Sequence, residues 1–266
     1  MSSTYGDVDG YADPALAVYW QERVDGWPQV RAYKRRIADL VAGAERLVDV
    51  GCGPGLDDRG AGPGRAIGVD RSRTMCRAAA SRGRVTCQAD ACALPFPDGH
   101  LDAAVADRVL QHIERRPAAL SEMVRVVRRG GRVVVADPDQ ETLVIHVPGV
   151  PPELTARVKR LRRDVGYRHG RYVSGLPAEL TALGLGDVTV DAFPLVLTDP
   201  DDAFGVPTWP RAWRDEGEFT DRELEAWDAG IERGRRGGFV YALLYFVVSA
   251  TVPSRTRSEG VSVAQS

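Results

Sequence analysis

The sequence predicts an α/β fold with a mostly parallel sheet, and three observations carry that expectation. Short apolar runs recur along the chain and suit buried strands: Leu47–Val50, Ala66–Val69, Leu101–Ala106 and Arg132–Ala136. Stretches with helical spacing of apolar residues lie between several of them. The first run ends in Gly51, Gly53 and Gly55, and an aspartate stands at or next to the end of each later run. In open α/β sheets, ligands bind at the carboxyl ends of strands, so this is where a site is expected.

The elements can be justified in order. Asp13-Pro14 reads as an N-cap followed by proline at the first helical position, opening a helix with Leu16, Tyr19, Trp20 and Val24. A second helix starts at Pro28 and carries Val30, Tyr33, Ile37, Leu40 and Val41. The strand at 46–50 runs into the glycine turn, where absent Cβ atoms let backbone bend and a ligand approach. Residues 56–65, L-D-D-R-G-A-G-P-G-R, lack an apolar stripe, so the helix a βαβ unit wants here is short or absent. Ser72 caps a helix to Ala80, and Gly83 closes it. Strands follow at 84–88 and 101–106, then a helix from Pro117 that Gly130 ends. A fifth strand at 132–136 is expected to stop at Asp137-Pro138. Beyond it come helices at 151–163 and from Ser174, a strand at 187–193, and an aperiodic stretch at 194–217. Thr220-x-x-Glu223 forms a capping box, and 239–252 reads as a long buried strand.

Composition excludes several classes. With 266 residues, 44% hydrophobic and 27% charged, the chain is long enough for one large α/β domain with additions or for two small domains. A net charge of −2 gives no sign of nucleic-acid binding. Cys52, Cys76, Cys87 and Cys92 have no zinc-ligand spacing, no signal peptide precedes them, and free thiols in a reducing cytoplasm are expected. The longest apolar run is too short to span a bilayer. No His, Asp and Glu cluster suggests a metal.

Four segments in register resemble the class I S-adenosylmethionine-dependent methyltransferases, of the type found in quinone biosynthesis. They are D-V-G-C-G-P-G at 49–55, G-V-D at 68–70, A-D-A-C-A-L-P-F-P-D-G-H-L-D at 89–102, and R-V-V-R-R-G-G-R-V-V-V-A-D-P at 125–138. A nicotinamide Rossmann domain would space its glycines G-x-G-x-x-G to support a pyrophosphate. Here the third glycine comes one residue early, and Asp49 stands where a phosphate would want no anion. The resemblance implies a Rossmann-like seven-stranded sheet, mostly parallel with an antiparallel last strand and helices on both faces. Residues 1–45 would form an N-terminal helical cover and 46–253 the methyltransferase domain. Within it, 139–172 and 194–217 would cover the substrate, and 254–266 would be a disordered tail.

The resemblance also assigns cofactor contacts. Asp49 would reach the methionine ammonium, and Gly51, Gly53 and Gly55 would underlie the cofactor. Asp70, with Arg71 beside it, would accept both ribose hydroxyls. Asp90 and Ala91 would meet the adenine, and Asp107 with Arg108 would line the mouth shared with the substrate. For S-adenosylmethionine the acceptor would be a small-molecule O, N or C nucleophile in secondary metabolism, in a cytoplasmic monomer or homodimer. The alternatives are a protein of this fold that catalyses cyclisation or decarboxylation, or one that only binds a ligand. If a general base is needed, His112 and His146 are the candidates, because imidazole titrates near neutrality. Tyr11, Tyr19, Trp20, Trp209 and Trp213 could wall an apolar substrate pocket. After the glycine turn, either the pocket is intact with a short flexible wall or cofactor affinity is reduced, since Asp57 and Asp58 would not help to bind a carboxylate.

Overall fold

A computed structural model describes residues 5–10, 13–56 and 66–254. Seven strands make one sheet: β1 (Leu47–Val50), β2 (Ala66–Asp70), β3 (Val85–Gln88), β4 (Leu101–Asp107), β5 (Val127–His146), β6 (Gly186–Leu197) and β7 (Val240–Thr251). Their spatial order is β3-β2-β1-β4-β5-β7-β6. The first five are parallel, and β7 inserts antiparallel between β5 and β6. This is the expected Rossmann-like sheet with its antiparallel last strand. The order reverses direction at β1, so the crevice beside β1 and β4 is the switch point where such sheets bind ligands.

Helices α1 (Pro14–Asp25), α2 (Pro28–Leu40), α3 (Arg73–Ser81), α4 (Arg116–Val126), α5 (Pro152–Leu161), α6 (Leu176–Ala182), α7 (Trp209–Ala212) and α8 (Asp221–Arg235) flank the sheet. The caps fall where residue chemistry puts them. Asp13 accepts from Ala15 N–H, Ser72 from Met75 N–H, and Thr220 with Glu223 completes the capping box. Ser174 does not cap α6. Its hydroxyl turns back to the Arg171 carbonyl, and α6 opens at Leu176 without a side-chain cap.

Two apolar clusters lie on either side of the sheet. One joins α2, α5, α8 and the 203–219 stretch to Val105, Val134 and Tyr245. The other packs α4 and α6 against Val48, Ala104, Val133 and Val248. Trp209 and Trp213 belong to the first, so they are core residues, and neither lines the cavity described below.

The largest departure from expectation is β5. The helix before it ends at Val126, ahead of Gly130, and the strand does not stop at Asp137-Pro138. It runs on to His146, with a register shift between Asp139 and Val144, because β7 supplies an antiparallel partner along the added length. Likewise β6 extends to Leu197 against Tyr241. Residues 57–65, Tyr11 and 255–266 lie outside the described residues, and with them the irregular stretch after the glycine turn and the polar tail.

Candidate active site

A cavity of about 610 Å³ opens at the carboxyl ends of β1, β2 and β4. That is within the usual range for a site that takes a small molecule, roughly 300–1,000 Å³. Gly51 and Gly53 form one wall, Asp70 and Arg71 a second, and Asp90, Ala91 and Cys92 a third. Arg108, Val109, His112 and Ile113 close the far side.

The glycine turn is shaped by close packing. Gly51 has φ of 68°, and a Cβ there would stand 2.4 Å from Val109 Cγ2. Gly53 and Gly55 also have positive φ. Gly55 does not line the cavity. It is buried, and a Cβ on it would meet Ala79 at 2.7 Å, so its bareness lets the turn pack on α3.

Asp70 ends β2 with its carboxylate held from two sides. Oδ2 accepts from Gly53 N–H at 2.9 Å and Oδ1 from Ser72 N–H at 2.8 Å. Burial pushes its pKa above the usual carboxylate value, against the pull of those two N–H donors. Asp90 is exposed at the rim, and its Oδ1 accepts from Cys92 N–H at 2.8 Å. Met75, Val69, Val109 and Ile113 give the cavity apolar walls that no motif marked.

Asp49 lines a smaller recess of about 20 Å³ beside the cavity, with Lys34, Asp107 and Arg108. Arg108 borders both spaces, and its φ of 59° places a non-glycine residue in the left-handed region. Asp107 is buried, accepts from Tyr33 Oη at 3.0 Å and lies 3.6 Å from Arg108 Nε. Lys34 pairs with Asp25 and stands 4.0 Å from Asp107 Oδ2. Tyr33 and Lys34 come from α2, so the N-terminal cover builds part of this recess.

The N-terminal segment reaches the main cavity as well. Val8 and Gln21 line it. Asp9 accepts from Ser72 Oγ at 2.8 Å and from the N–H groups of Arg73 and Thr74 at 2.7 and 3.1 Å. These contacts with the first turn of α3 hold its carboxyl down at about 2. No local pattern in the sequence pointed to this clasp, which spans more than sixty residues.

The two histidine candidates separate. His112 lines the cavity, and desolvation together with the charges of Arg162 and Arg108 lowers its pKa to about 3. His146 is exposed at the end of β5, paired with Val240, and does not line the cavity. Tyr19 and Trp20 do not line it either. Among the described residues, no group of three or more His, Cys, Asp or Glu side chains could hold a metal ion. Likewise no helix is long and apolar enough to cross a membrane.

The residues present fit S-adenosylmethionine. The bare Gly51 backbone leaves room that a Cβ would fill, and the carboxylate fixed at the tip of β2 is the chemistry a ribose diol would need. The recess at β1 brings Asp49, Asp107, Lys34 and Arg108 together, charges of both signs beside the cavity.

Comparison with known proteins agrees with this geometry. Residues 48–135 match the family described as a methyltransferase domain. Over those residues the chain is similar to a methyltransferase domain. An uncharacterised 37.1 kDa protein of transposon TN4556 from Streptomyces fradiae is 39% identical over 152 residues, 53% of this chain and 44% of its own. The 2-phytyl-1,4-naphtoquinone methyltransferase of Synechococcus elongatus is 33% identical over 106 residues, 35% of this chain and 46% of its own. Other relatives include tRNA (carboxymethyluridine(34)-5-O)-methyltransferases and O-methyltransferases. The chain spans about half the length, or less, of these curated relatives. In structure, the YcgJ protein of Bacillus subtilis superposes with a TM-score of 0.57 at 19% identity. The match covers 84% of this chain and 99% of that one, and it shows that the methyltransferase domain has the same fold.

Proposed function

We propose that this chain transfers a methyl group from S-adenosylmethionine to a small-molecule O, N or C nucleophile, in the cytoplasm and in secondary metabolism. The observation that carries the reading is Asp70, a carboxylate held by Gly53 N–H and Ser72 N–H at the wall of the 610 Å³ cavity. Two fixed acceptor oxygens beside a bare-backbone turn are what a vicinal diol needs.

The other contacts follow the same reading. Asp90 and the Ala91 backbone would take the adenine, with Met75 and Ile113 against its faces. Asp49 and Asp107 would complement the ammonium, and Lys34 and Arg108 the carboxylate. Bound there, the cofactor supplies a methyl group on a positively charged sulfur. The chain's work is then positional. It orders two reactants in one cavity, to whose wall Val8 and Gln21 of the N-terminal segment contribute. His112 stays neutral at physiological pH and is a weak proton acceptor, so it serves better as a hydrogen-bonding wall than as a general base. His146, exposed and outside the cavity, is not part of this proposal. Segments 139–172 and 194–217 remain the proposed substrate covers. Tyr167–Gly170 in the first of them abuts Gln111 and Gln140.

The test is incubation of the full chain with methyl-labelled S-adenosylmethionine and pools of small phenols, amines, acids and activated methylenes. Transfer of label to any of them is the expected result. Tight binding of S-adenosylhomocysteine with label transferred only to RNA would replace the acceptor class.

A further inference from the structure

Behind His112 the chain buries polar atoms that lack partners. Gln111 Oε1, Gln140 Oε1, His169 Nε2 and Arg162 Nε are all shielded from solvent without a hydrogen bond. Gln111 and Gln140 are each only 3% exposed. Native proteins satisfy nearly all such atoms, so a group of them marks a place where water or a ligand is the missing partner. These four surround one loop. His169 N–H donates to the Gln111 carbonyl at 3.2 Å, and Gln140 N–H to the Gly170 carbonyl at 2.8 Å. Tyr167, in the same loop, lies 5.7 Å from the His112 ring.

Arg162 is the charged member. It opens a π-helical turn over Arg162–Gly166, a form frequent at functional sites. Its guanidinium is sandwiched between Tyr167 and Trp209, 4.4 and 4.2 Å from the ring centroids, and donates to Tyr167 Oη at 2.9 Å. Among the described residues, no carboxylate lies within 4.0 Å of it. The nearby acids are engaged elsewhere. Asp137 takes the Tyr172 hydroxyl, Asp107 takes Tyr33, Glu114 faces Arg168 at 3.7 Å, and Glu141 faces Arg163 at 3.1 Å. Arg108 and Arg168, on the cavity wall, add to the positive field.

We propose that the acceptor chamber continues past His112 to the Gln111, Gln140, His169 and Arg162 cluster, and that Arg162 recognises a carboxylate on the acceptor. A planar guanidinium held between two rings is pre-oriented to receive a carboxylate through two parallel N–H donors. Gln111, Gln140 and His169 then meet the polar substituents around that carboxylate. This inference rests on the methyltransferase reading for which space holds the cofactor, but Arg162 stands outside that space.

The experiment is a binding titration of the full chain, with and without saturating S-adenosylhomocysteine. The probes are benzoate, phenylacetate and salicylate against their neutral amides, read by calorimetry and by tryptophan fluorescence, which reports on Trp209. The acids should bind about tenfold or more tightly than the amides, a difference typical of a charge-assisted pair. R162Q should remove that preference while S-adenosylhomocysteine affinity holds, and R162K should restore part of it. Equal binding of acids and amides, or no binding of any acid at millimolar concentration, overturns the proposal and leaves water as the occupant. If R162Q does not fold, the acid-to-amide comparison on the unaltered chain decides alone. Failure of S-adenosylhomocysteine to bind would count against the methyltransferase reading, and the probe titration without it would still decide the role of Arg162.

Discussion

Replacing Asp70 by alanine removes two oxygens that now accept from Gly53 N–H at 2.9 Å and Ser72 N–H at 2.8 Å. In the free protein the loss is partly offset, because burial already pushes this carboxyl's pKa upward and the site no longer has to hold a desolvated charge. Each half-buried N–H can turn to water, so the net destabilisation is on the order of 1 kcal/mol. The ligand is affected more. Two hydrogen bonds to a charged acceptor, at roughly 1.5–3 kcal/mol each before losses, imply a net penalty of about 2–4 kcal/mol. That corresponds to a Kd for S-adenosylhomocysteine raised about 30- to 1,000-fold. Asparagine is a poor control, since its amide NH₂ would face either Gly53 N–H or Ser72 N–H, donor against donor. Calorimetry on D70A, with circular dichroism to establish folding, is the assay. A folded D70A that binds S-adenosylhomocysteine as the unaltered chain does would refute the ribose assignment and the orientation built on it.

Two further expectations rest on packing and on buried charge. G51A places a Cβ 2.4 Å from Val109 Cγ2 at φ of 68°, so strain and overpacking together should destabilise by about 2–5 kcal/mol in urea unfolding. V109A in the same chain should recover only the packing part, and an unchanged midpoint for G51A would mean the turn is not as drawn. Asp137 is fully buried with its pKa pushed up to about 8, chiefly by desolvation, while His112 is lowered to about 3. The raised carboxyl favours the fold at low pH and loses that contribution as pH rises through 8. The lowered imidazole favours it above 6.5 and loses that contribution as pH falls toward 3. The two oppose each other below pH 6.5, the imidazole's ordinary value, and above it Asp137 acts alone. Stability should therefore fall between pH 6.5 and 8, by up to about 1.4 kcal/mol per unit. D137N should flatten the slope, and a slope unaltered by D137N would show the proton lies elsewhere.

Strand ends were legible in the sequence because each apolar run meets an aspartate or a glycine at its carboxyl end. Asp70 and Asp107 end β2 and β4, and Gly51 follows β1 and opens the glycine turn. The seven-stranded, mostly parallel sheet with its antiparallel last strand followed from the resemblance, since neither periodicity nor spacing says which strands are neighbours. The extension of β5 past Asp137-Pro138 was not legible. Proline reads locally as a stop, yet opposite Tyr245 it sits in a ladder whose other residues supply the hydrogen bonds. The place of His146 outside the cavity lining has the same source, because it sits at the far end of the added strand length.

Arg162 shows why the acceptor end of such a site escapes a reading of motifs. Cofactor contacts are made by backbone at strand tips, where the fold imposes glycine or aspartate at fixed offsets, so they leave a spaced signature. Acceptor contacts are made by long side chains from added segments. In a largely charged run such as Lys159–Asp164, with three arginines among its members, nothing distinguishes the one that turns inward. What singles out Arg162 is three-dimensional. Tyr167 comes from five residues ahead and Trp209 from the 203–219 stretch, and together they replace water on both faces of one guanidinium. Such a cation gives up hydration to be there. The orphaned amides of Gln111 and Gln140 beside the same loop give up theirs as well. Polar groups left dry in one neighbourhood, next to a cavity that holds the donor, are explained together if a polar acceptor is their missing partner. If water is that partner instead, acid and amide bind alike.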